Sequence, residues 1–296
     1  MIYKHKPVLL KEAVELLNVK PGAKYIDATL GGGGYTLEIL KRGGIVLGID
    51  LDQDAIDFVR SRIQKSDVKA RLGEDLILVQ GNFRDIEKIA HLNNFEEVLG
   101  VVFDLGLSSA QIEGSGRGFS FLKDEPLDMR MDSKGELTAE IIVNKWSEEQ
   151  LYELFTKMGE ERFSSSIIHN ITRARRVRPI TSSLMLAGIV KDAVTRKGTM
   201  HPATRIFQAL RIAVNDELNN IKFGISGAFE ILRSGGRLGV VSFHSLEDRI
   251  VKNSFRLYKS QGKAEIITKK PIIPNIEEIK ENRRSRSAKL RYIEKL

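Results

Sequence analysis

Leu10, Ala13, Val14 and Leu17 follow the i, i+3, i+4, i+7 spacing of one helical face, which predicts an amphipathic helix after Pro7 that stops before Pro21 and Gly22. The period then changes. A short apolar run at 25–27 enters the glycines 31–34, Ile39 and Leu40 mark a second helix before Gly43 and Gly44, and the apolar run 45–49 is closed by Asp50. Strand, glycine turn, helix, strand is one βαβ unit. Residues 76–79 and 98–103 supply two more short apolar runs, the pattern of parallel strands covered on both faces.

Beyond Gly106 the texture shifts to glycine-rich loops and then to helical stretches around 139–143 and 148–158, with no strand alternation. From Ile206, the positions Leu210, Val214, Leu218 and Ile221 predict one face of a single long helix, continued to Leu232 before Gly235 and Gly236. Residues 237–243 then read as another buried strand and 246–257 as its helix. The expected fold is α/β, a mostly parallel doubly wound sheet assembled from residues 1–112 and 206–296 and interrupted by a mostly helical insertion at 113–205. A structureless loop of that length would be unusual.

Composition narrows the chemistry. The 296 residues are 42% hydrophobic and 29% charged, a globular balance, and contain no cysteine. That removes disulfides, thiolate metal ligands and a cysteine nucleophile together. No apolar run reaches 18 residues and nothing resembles a signal peptide, so a cytoplasmic protein without a membrane partner is expected. The net charge of +8 is uneven: the segment 162–211 carries +9, the segment 263–296 carries +5, and the remainder is −6. Clustered cations suit a polyanionic partner, although a solvated basic surface would give the same count.

The glycine turn lies where α/β sheets bind small molecules, at the carboxyl edge of a strand. Pyrophosphate against that turn would be repelled by Asp27, whereas a sulfonium or ammonium would be attracted. Asp50 ends the second strand, where a carboxylate can accept both hydroxyls of a ribose. The pair suggests an adenosine cofactor without phosphates, S-adenosylmethionine, although each carboxylate could equally serve a turn or a cap. Asp52 and Asp54 read as helix-capping acids. Phe83 could pack on an adenine or belong to the core. No glycine cluster continues into Gly-Lys-Ser/Thr, and the five histidines lack the spacing of a zinc helix, so no metal is expected.

Longer motifs carry a family resemblance. The segments His5-Lys-Pro-Val-Leu-Leu10, Gly33-Gly-Tyr35, Asp104-Leu-Gly-Leu-Ser108-Ser-Ala-Gln111, Arg117-Gly-Phe119-Ser-Phe121 and Leu127-Asp-Met-Arg-Met-Asp132 resemble the bacterial RsmH (MraW) family. So do His201-Pro-Ala-Thr-Arg205-Ile-Phe-Gln-Ala-Leu-Arg211, Ser242-Phe-His244-Ser-Leu-Glu-Asp-Arg249 and Arg284-Ser-Arg286-Ser-Ala-Lys289-Leu-Arg291, so that the likeness spans nearly the whole chain. The resemblance implies a class I (Rossmann-like) methyltransferase that moves a methyl group from S-adenosylmethionine to N4 of a cytidine in the decoding centre of 16S ribosomal RNA. It places cofactor contacts at Gly33, Gly34, Tyr35, Asp50, Phe83, Asp104 and Gln111, to which the charge argument adds Asp27. The partner it implies is RNA in the small ribosomal subunit, and it leaves a homodimer open. Tyr35 departs from the histidine usual there, Ser164, Ser165 and Ser166 stand in place of basic and small residues, and Arg283 stands where proline is common.

Methyl transfer to an exocyclic amine is an in-line displacement, and an oxygen acceptor on the amine hydrogen would localise its lone pair. Asp104, at the end of the fourth strand, is the first candidate, with Ser108 and Gln111 on the following loop. His244 could meet the base edge or take a proton, or could be a structural histidine. A base must leave its stack to be modified, and Phe119 and Phe121 could wall it, or could anchor the insertion instead. Arg173, Arg175, Arg176, Arg178, Arg205 and Arg211, with Arg284, Arg286 and Lys289 in the tail, are candidates to track RNA phosphates. Asp128 and Arg130 could form an internal ion pair. Two other functions share parts of the pattern: a nicotinamide-dependent oxidoreductase, which Asp27 disfavours, and a noncatalytic RNA-binding assembly protein.

Overall fold

The computed structural model describes residues 7–68, 70–106, 115–194 and 201–296. Their contacts fall into two units: a sheet unit within 3–108 and 218–296, and a helical unit within 109–217.

The sheet unit begins with α1 (Leu10–Leu17), which Asn18 ends in the left-handed region at φ 55°. It continues through β1 (Lys24–Asp27), α2 (Gly34–Lys41), β2 (Ile45–Asp50), α3 (Gln53–Gln64), β3 (Leu76–Gln80), α4 (Ile86–Leu92) and β4 (Val98–Asp104). Seven strands form one sheet in the order β3-β2-β1-β4-β5-β7-β6, where β5 is Leu232–Ser242, β6 is Ala264–Ile266 and β7 is Lys289–Lys295. Only β7 runs antiparallel to its neighbours. The strand order turns back between β1 and β4, which puts the ends of those two strands at the topological switch point.

The unbroken apolar runs have a direct explanation. Side chains alternate across a strand, and both faces of this sheet are covered. Ile26, Leu47, Ile49, Val101, Phe103 and Val240 join one core layer, whereas Tyr25, Val46, Val102 and Val241 join the other. Glycine is required where an opposing ring lies flat on the strand: a Cβ on Gly239 would collide with the Tyr292 ring.

The helical unit contains α5 (Ala139–Lys145), α6 (Glu148–Lys157), α7 (Ser164–Val177), α8 (Ser183–Ala193) and α9 (Ala203–Asn215). Thr138 caps α5, Ser182 caps α8, and Ser147 with Gln150 forms a reciprocal capping box on α6. Phe155, Ile167, Ile171, Leu186, Ile206 and Leu210 are buried in its own core.

Two expectations are corrected. The long helix from Ile206 is two helices, because Asp216 adopts φ 50° and ends α9 before α10 (Glu217–Ile231) begins. Aspartate tolerates that conformation better than most residues. Each helix serves a different core: Ile206, Phe207 and Leu210 belong to the helical unit, and Ile221, Ile225 and Phe229 to the sheet unit. The division between units therefore follows Glu217 and not residue 205. The basic tail, expected to face RNA, ends in the strand β7, and that strand carries one buried cation. Arg291 is 9% exposed and pairs with Asp248 of α11 (Ser245–Ser260), Nε to Oδ1 at 2.6 Å and Nη2 to Oδ2 at 3.2 Å. Burial alone would raise the Asp248 carboxyl, but hydrogen bonds and charge from Arg291 and Lys289 hold it below its usual value.

Candidate active site

Three carboxylates end three adjacent parallel strands. Asp27 closes β1, Asp50 closes β2 and Asp104 closes β4. Asp27 is fully buried, and its Oδ2 accepts from the Thr36 hydroxyl at 2.7 Å and from the Thr36 amide at 3.2 Å. Among the described residues its Oδ1 has no partner, and neither has the buried Oδ1 of Asp104. The backbone beside Asp104 is fixed: its amide donates to Thr29 Oγ1 at 2.6 Å.

Burial is the largest influence on all three groups. It lifts Asp27 to about 6 against the hydrogen bonds from Thr36 and the Thr29 amide. Asp50 also rises to about 6, through burial that the amides of Asp52 and Gly31 partly offset. Asp104 is pushed well above the usual carboxylate range by burial and by the negative charges of Asp27, Glu247 and Glu278. Like charges collected at adjacent strand ends, with two buried oxygens unpartnered among the described residues, are costly unless a proton or another cation compensates them. The arrangement suits a positively charged ligand.

Asp50 organises the turn beside it. Its Oδ2 accepts from the Gly31 amide at 2.7 Å and its Oδ1 from the Asp52 amide at 2.9 Å. Each oxygen keeps a lone pair for a further donor. Asp52 is a helix cap, as expected, with its side chain accepting from the Asp54 amide.

The glycines answer to protein packing more than to a ligand. Gly33 has φ 72°, and a Cβ there would meet Val59 Cγ2 at 2.8 Å; a Cβ on Gly34 would collide with the Pro7 ring. Tyr35 is 3% exposed, and its hydroxyl donates to the Val8 carbonyl, so the phenol is committed to the core and only its backbone borders the turn. Phe83 is half-buried, edge-on to Phe103 with ring centroids 5.6 Å apart, and packs on Gly224. The ring thus packs against the sheet unit's core. Ser108 and Gln111 lie outside the described residues.

His244 caps α11. Its Nδ1 accepts from the Glu247 amide at 3.3 Å, while Glu247 Oε2 accepts from the amides of Phe243 and His244 at 2.7 and 3.1 Å. With Nδ1 committed, the proton of the neutral ring lies on Nε2, 3.1 Å from Glu247 Oε1 though outside hydrogen-bond geometry. That ring offers a donor and has no lone pair left for a substrate proton. The structural alternative accounts for its contacts.

In the helical unit the aromatic pair packs inward. Phe119 and Phe121 both lie against the helical core; Phe121 stacks on His201 at 4.6 Å and meets Phe207 edge-on at 5.1 Å. Anchoring explains both rings. The arginines divide. Arg175 donates to the carbonyls of Val143 and Trp146 at the end of α5, both at 2.8 Å. Arg205 donates to the Glu160 carbonyl, and Arg211 forms a bidentate pair with Glu217 at 2.7 and 2.8 Å. Asp128 and Arg130 form the ion pair that the sequence allowed. Arg173, Arg176 and Arg178 are exposed. Arg162, Ser166, His169, Arg173 and Arg176 recur at helical spacing and are all exposed, which makes one basic, polar face along α7. In the tail, Arg284 and Arg286 are exposed, whereas Lys289 reaches Asp248 at 3.2 Å.

Sequence reasoning missed Thr36, Thr29 and Glu278, the groups that hold or influence the strand-end carboxylates. Thr36 sits nine residues from Asp27, one turn into the helix that follows the glycine turn, a spacing that could have suggested it.

The chain is 45% identical to the ribosomal RNA small subunit methyltransferase H of Carboxydothermus hydrogenoformans, over all of this chain and 99% of the relative. It is 46% identical to the protein of the same description from Halothermothrix orenii, over 99% and 98%. Among solved structures, an rRNA methylase from Streptococcus thermophilus is 11% identical over 97% of this chain and 93% of its own, with a TM-score of 0.46. The family profile described as the MraW methylase family matches residues 2–296, and with relatives of this identity over full length the chain belongs to that family.

Proposed function

We propose that the protein transfers a methyl group from S-adenosylmethionine to N4 of a cytidine in the decoding centre of 16S ribosomal RNA. The observation that carries the cofactor reading is the pair of buried carboxylate oxygens on Asp27 and Asp104, unpartnered among the described residues, at the switch point of the sheet. A phosphate-bearing dinucleotide would bring more negative charge to them. The same two oxygens suit an ammonium and a sulfonium.

When bound, S-adenosylmethionine supplies an electrophilic methyl group on a positively charged sulfur. Asp27 and Asp104 would hold the cationic portion, and Asp50 would accept the ribose hydroxyls with the lone pairs its backbone contacts leave free. Gly33, Gly34 and the backbone of Tyr35 would border the cofactor, and Phe83 would offer a flat apolar surface to the adenine. Asp104 would also accept a hydrogen from the target amine, orienting its lone pair and stabilising the positive charge that grows on nitrogen. Ser108 and Gln111, carried over from the family motif, would supply hydrogen bonds to the amine or the cofactor. His244 would shape the start of α11.

The family supports the reading of target and partner. Relatives described as ribosomal RNA small subunit methyltransferases at this identity support the same RNA as substrate. The exposed face of α7, with Arg178 beyond it and Arg284 and Arg286 in the tail, would meet phosphates and position the RNA without reading its sequence.

Titration calorimetry separates this reading from the oxidoreductase. S-adenosylmethionine and S-adenosylhomocysteine are expected to bind and NAD to give no heat; tight NAD binding without either sulfur compound would overturn the cofactor assignment.

A further inference from the structure

Three contacts converge on the short segment before α1. The Tyr35 hydroxyl donates to the Val8 carbonyl, the Pro7 ring lies against Gly34, and the Leu9 amide donates to Glu278 Oε1 at 2.7 Å. Two of these come from the glycine turn and the first turn of α2. The third comes from 269 residues away, in α12 (Ile276–Glu281) of the C-terminal segment. Leu9 itself has φ 53° and ψ 33°, a left-handed conformation that is strained for a leucine. Its amide would be buried without a partner if the carboxylate were removed, since Leu9 is 1% exposed.

The carboxylate is itself prepared. Asn275 caps α12 by accepting from the Glu278 amide at 2.8 Å, and the Asn282 amide donates to the Glu278 carbonyl at 2.7 Å. The short helix is thereby pinned at both ends, and its one inward-reaching acid meets the strained residue. Ala13, in the first turn beyond Leu9, is held in turn by the Tyr292 hydroxyl of β7 at 2.8 Å. The C-terminal strand and helix together fix how the segment 7–9 lies on the glycine turn.

We propose that Glu278 is a positioning residue for the cofactor site: by anchoring the Leu9 amide it clamps residues 7–9 onto Gly34 and Tyr35, so that the C-terminal segment sets the geometry of the glycine turn. The inference rests on the reading that this turn holds S-adenosylmethionine. It assigns the tail a function inside the sheet unit that is separate from RNA contact.

The test compares Glu278→Ala, Glu278→Gln and Tyr35→Phe with an exposed neighbour, Glu277→Gln, as control. Calorimetry with S-adenosylhomocysteine and steady-state methyl transfer are both read on cooperatively folded protein. Loss of one charge-assisted hydrogen bond predicts about tenfold weaker binding and a matching rise in KM for the cofactor in Glu278→Ala, with kcat changed less than about twofold. Glu278→Gln keeps an acceptor and is expected within about threefold of wild type. Tyr35→Phe opens the other side of the clamp and weakens binding in the same direction. If Glu278→Ala fails to fold, Tyr35→Phe and Glu278→Gln decide alone. Unchanged affinity in folded Glu278→Ala, or in Tyr35→Phe, overturns the clamp, as does equal loss in the alanine and glutamine variants, which would make charge the cause. Failure of wild type to bind the compound at all would instead overturn the cofactor reading.

Discussion

Asp27 and Asp50 share an unusual property, a carboxyl lifted to about 6 chiefly by burial at the end of a strand. Such a group binds its proton more tightly in the folded protein than in the unfolded chain. Its contribution to stability therefore falls as pH rises from about 4 to about 6. Cofactor binding runs the other way for Asp27, because a cation favours the ionised form: affinity for S-adenosylmethionine is expected to rise through pH 6, and Asp104, held higher, adds to that rise. Protons are released in the process. Calorimetry from pH 5 to 8, in buffers of different ionisation enthalpy, reads both effects, and a flat affinity with no proton release would show that Asp27 does not face the cation. These residues were legible in the sequence because strand-end acids beside a glycine turn have a chemical meaning. The glycines themselves were legible for another reason than the one that holds: Gly33 and Gly34 make room for Val59 and Pro7. His244 stayed ambiguous because a cap and a base use the same ring, and only the Glu247 amide at 3.3 Å distinguishes them.

At the scale of elements, α7 shows what a charge count conceals. Arg175 lies between Arg173 and Arg176 in sequence, yet it closes the end of α5 while its neighbours are exposed. Reversing the charge of Arg173 and Arg176 together is expected to weaken binding to small-subunit RNA, to reduce the steepness of its salt dependence by about two contacts, and to spare cofactor affinity. An unchanged salt slope would move the footprint off this helix. Arg175→Ala should lower thermal stability instead. The tail repeats the lesson, since Leu290, Tyr292 and Ile293 are fully buried and carry the strand pattern that the surrounding cations obscured. Arg291→Ala leaves Asp248 buried without its main partner and is expected to cost about 3–5 kcal/mol in denaturant unfolding. A loss below about 1 kcal/mol would place that pair in solvent in practice. The helix break at Asp216 escaped periodicity because α9 and α10 keep apolar positions in nearly continuous phase; a single left-handed residue, which hydropathy does not record, divides them.

At the scale of the whole molecule, the sheet is closed by strands from both ends of the chain, with β5 and β7 arriving after the helical unit has been built. The βαβ pattern and the unbroken apolar runs disclosed five of its strands. The edge pair β6 and β7 did not announce itself, because β6 has three residues and β7 alternates charges with apolar groups. That tail gives the sheet unit its Arg291 anchor and its Glu278 contact with Leu9, both far from their partners in sequence. No helix among the described residues is long and apolar enough to cross a membrane. The measurement that bears most directly on the proposed chemistry is mass spectrometry of 16S RNA fragments after small subunits are incubated with the protein and methyl-labelled cofactor. Wild type should place one labelled methyl on N4 of a decoding-centre cytidine, and Asp104→Asn, folded and able to bind RNA, should lose most of that label. Label on another atom or another nucleotide, or undiminished labelling by Asp104→Asn, would contradict the account.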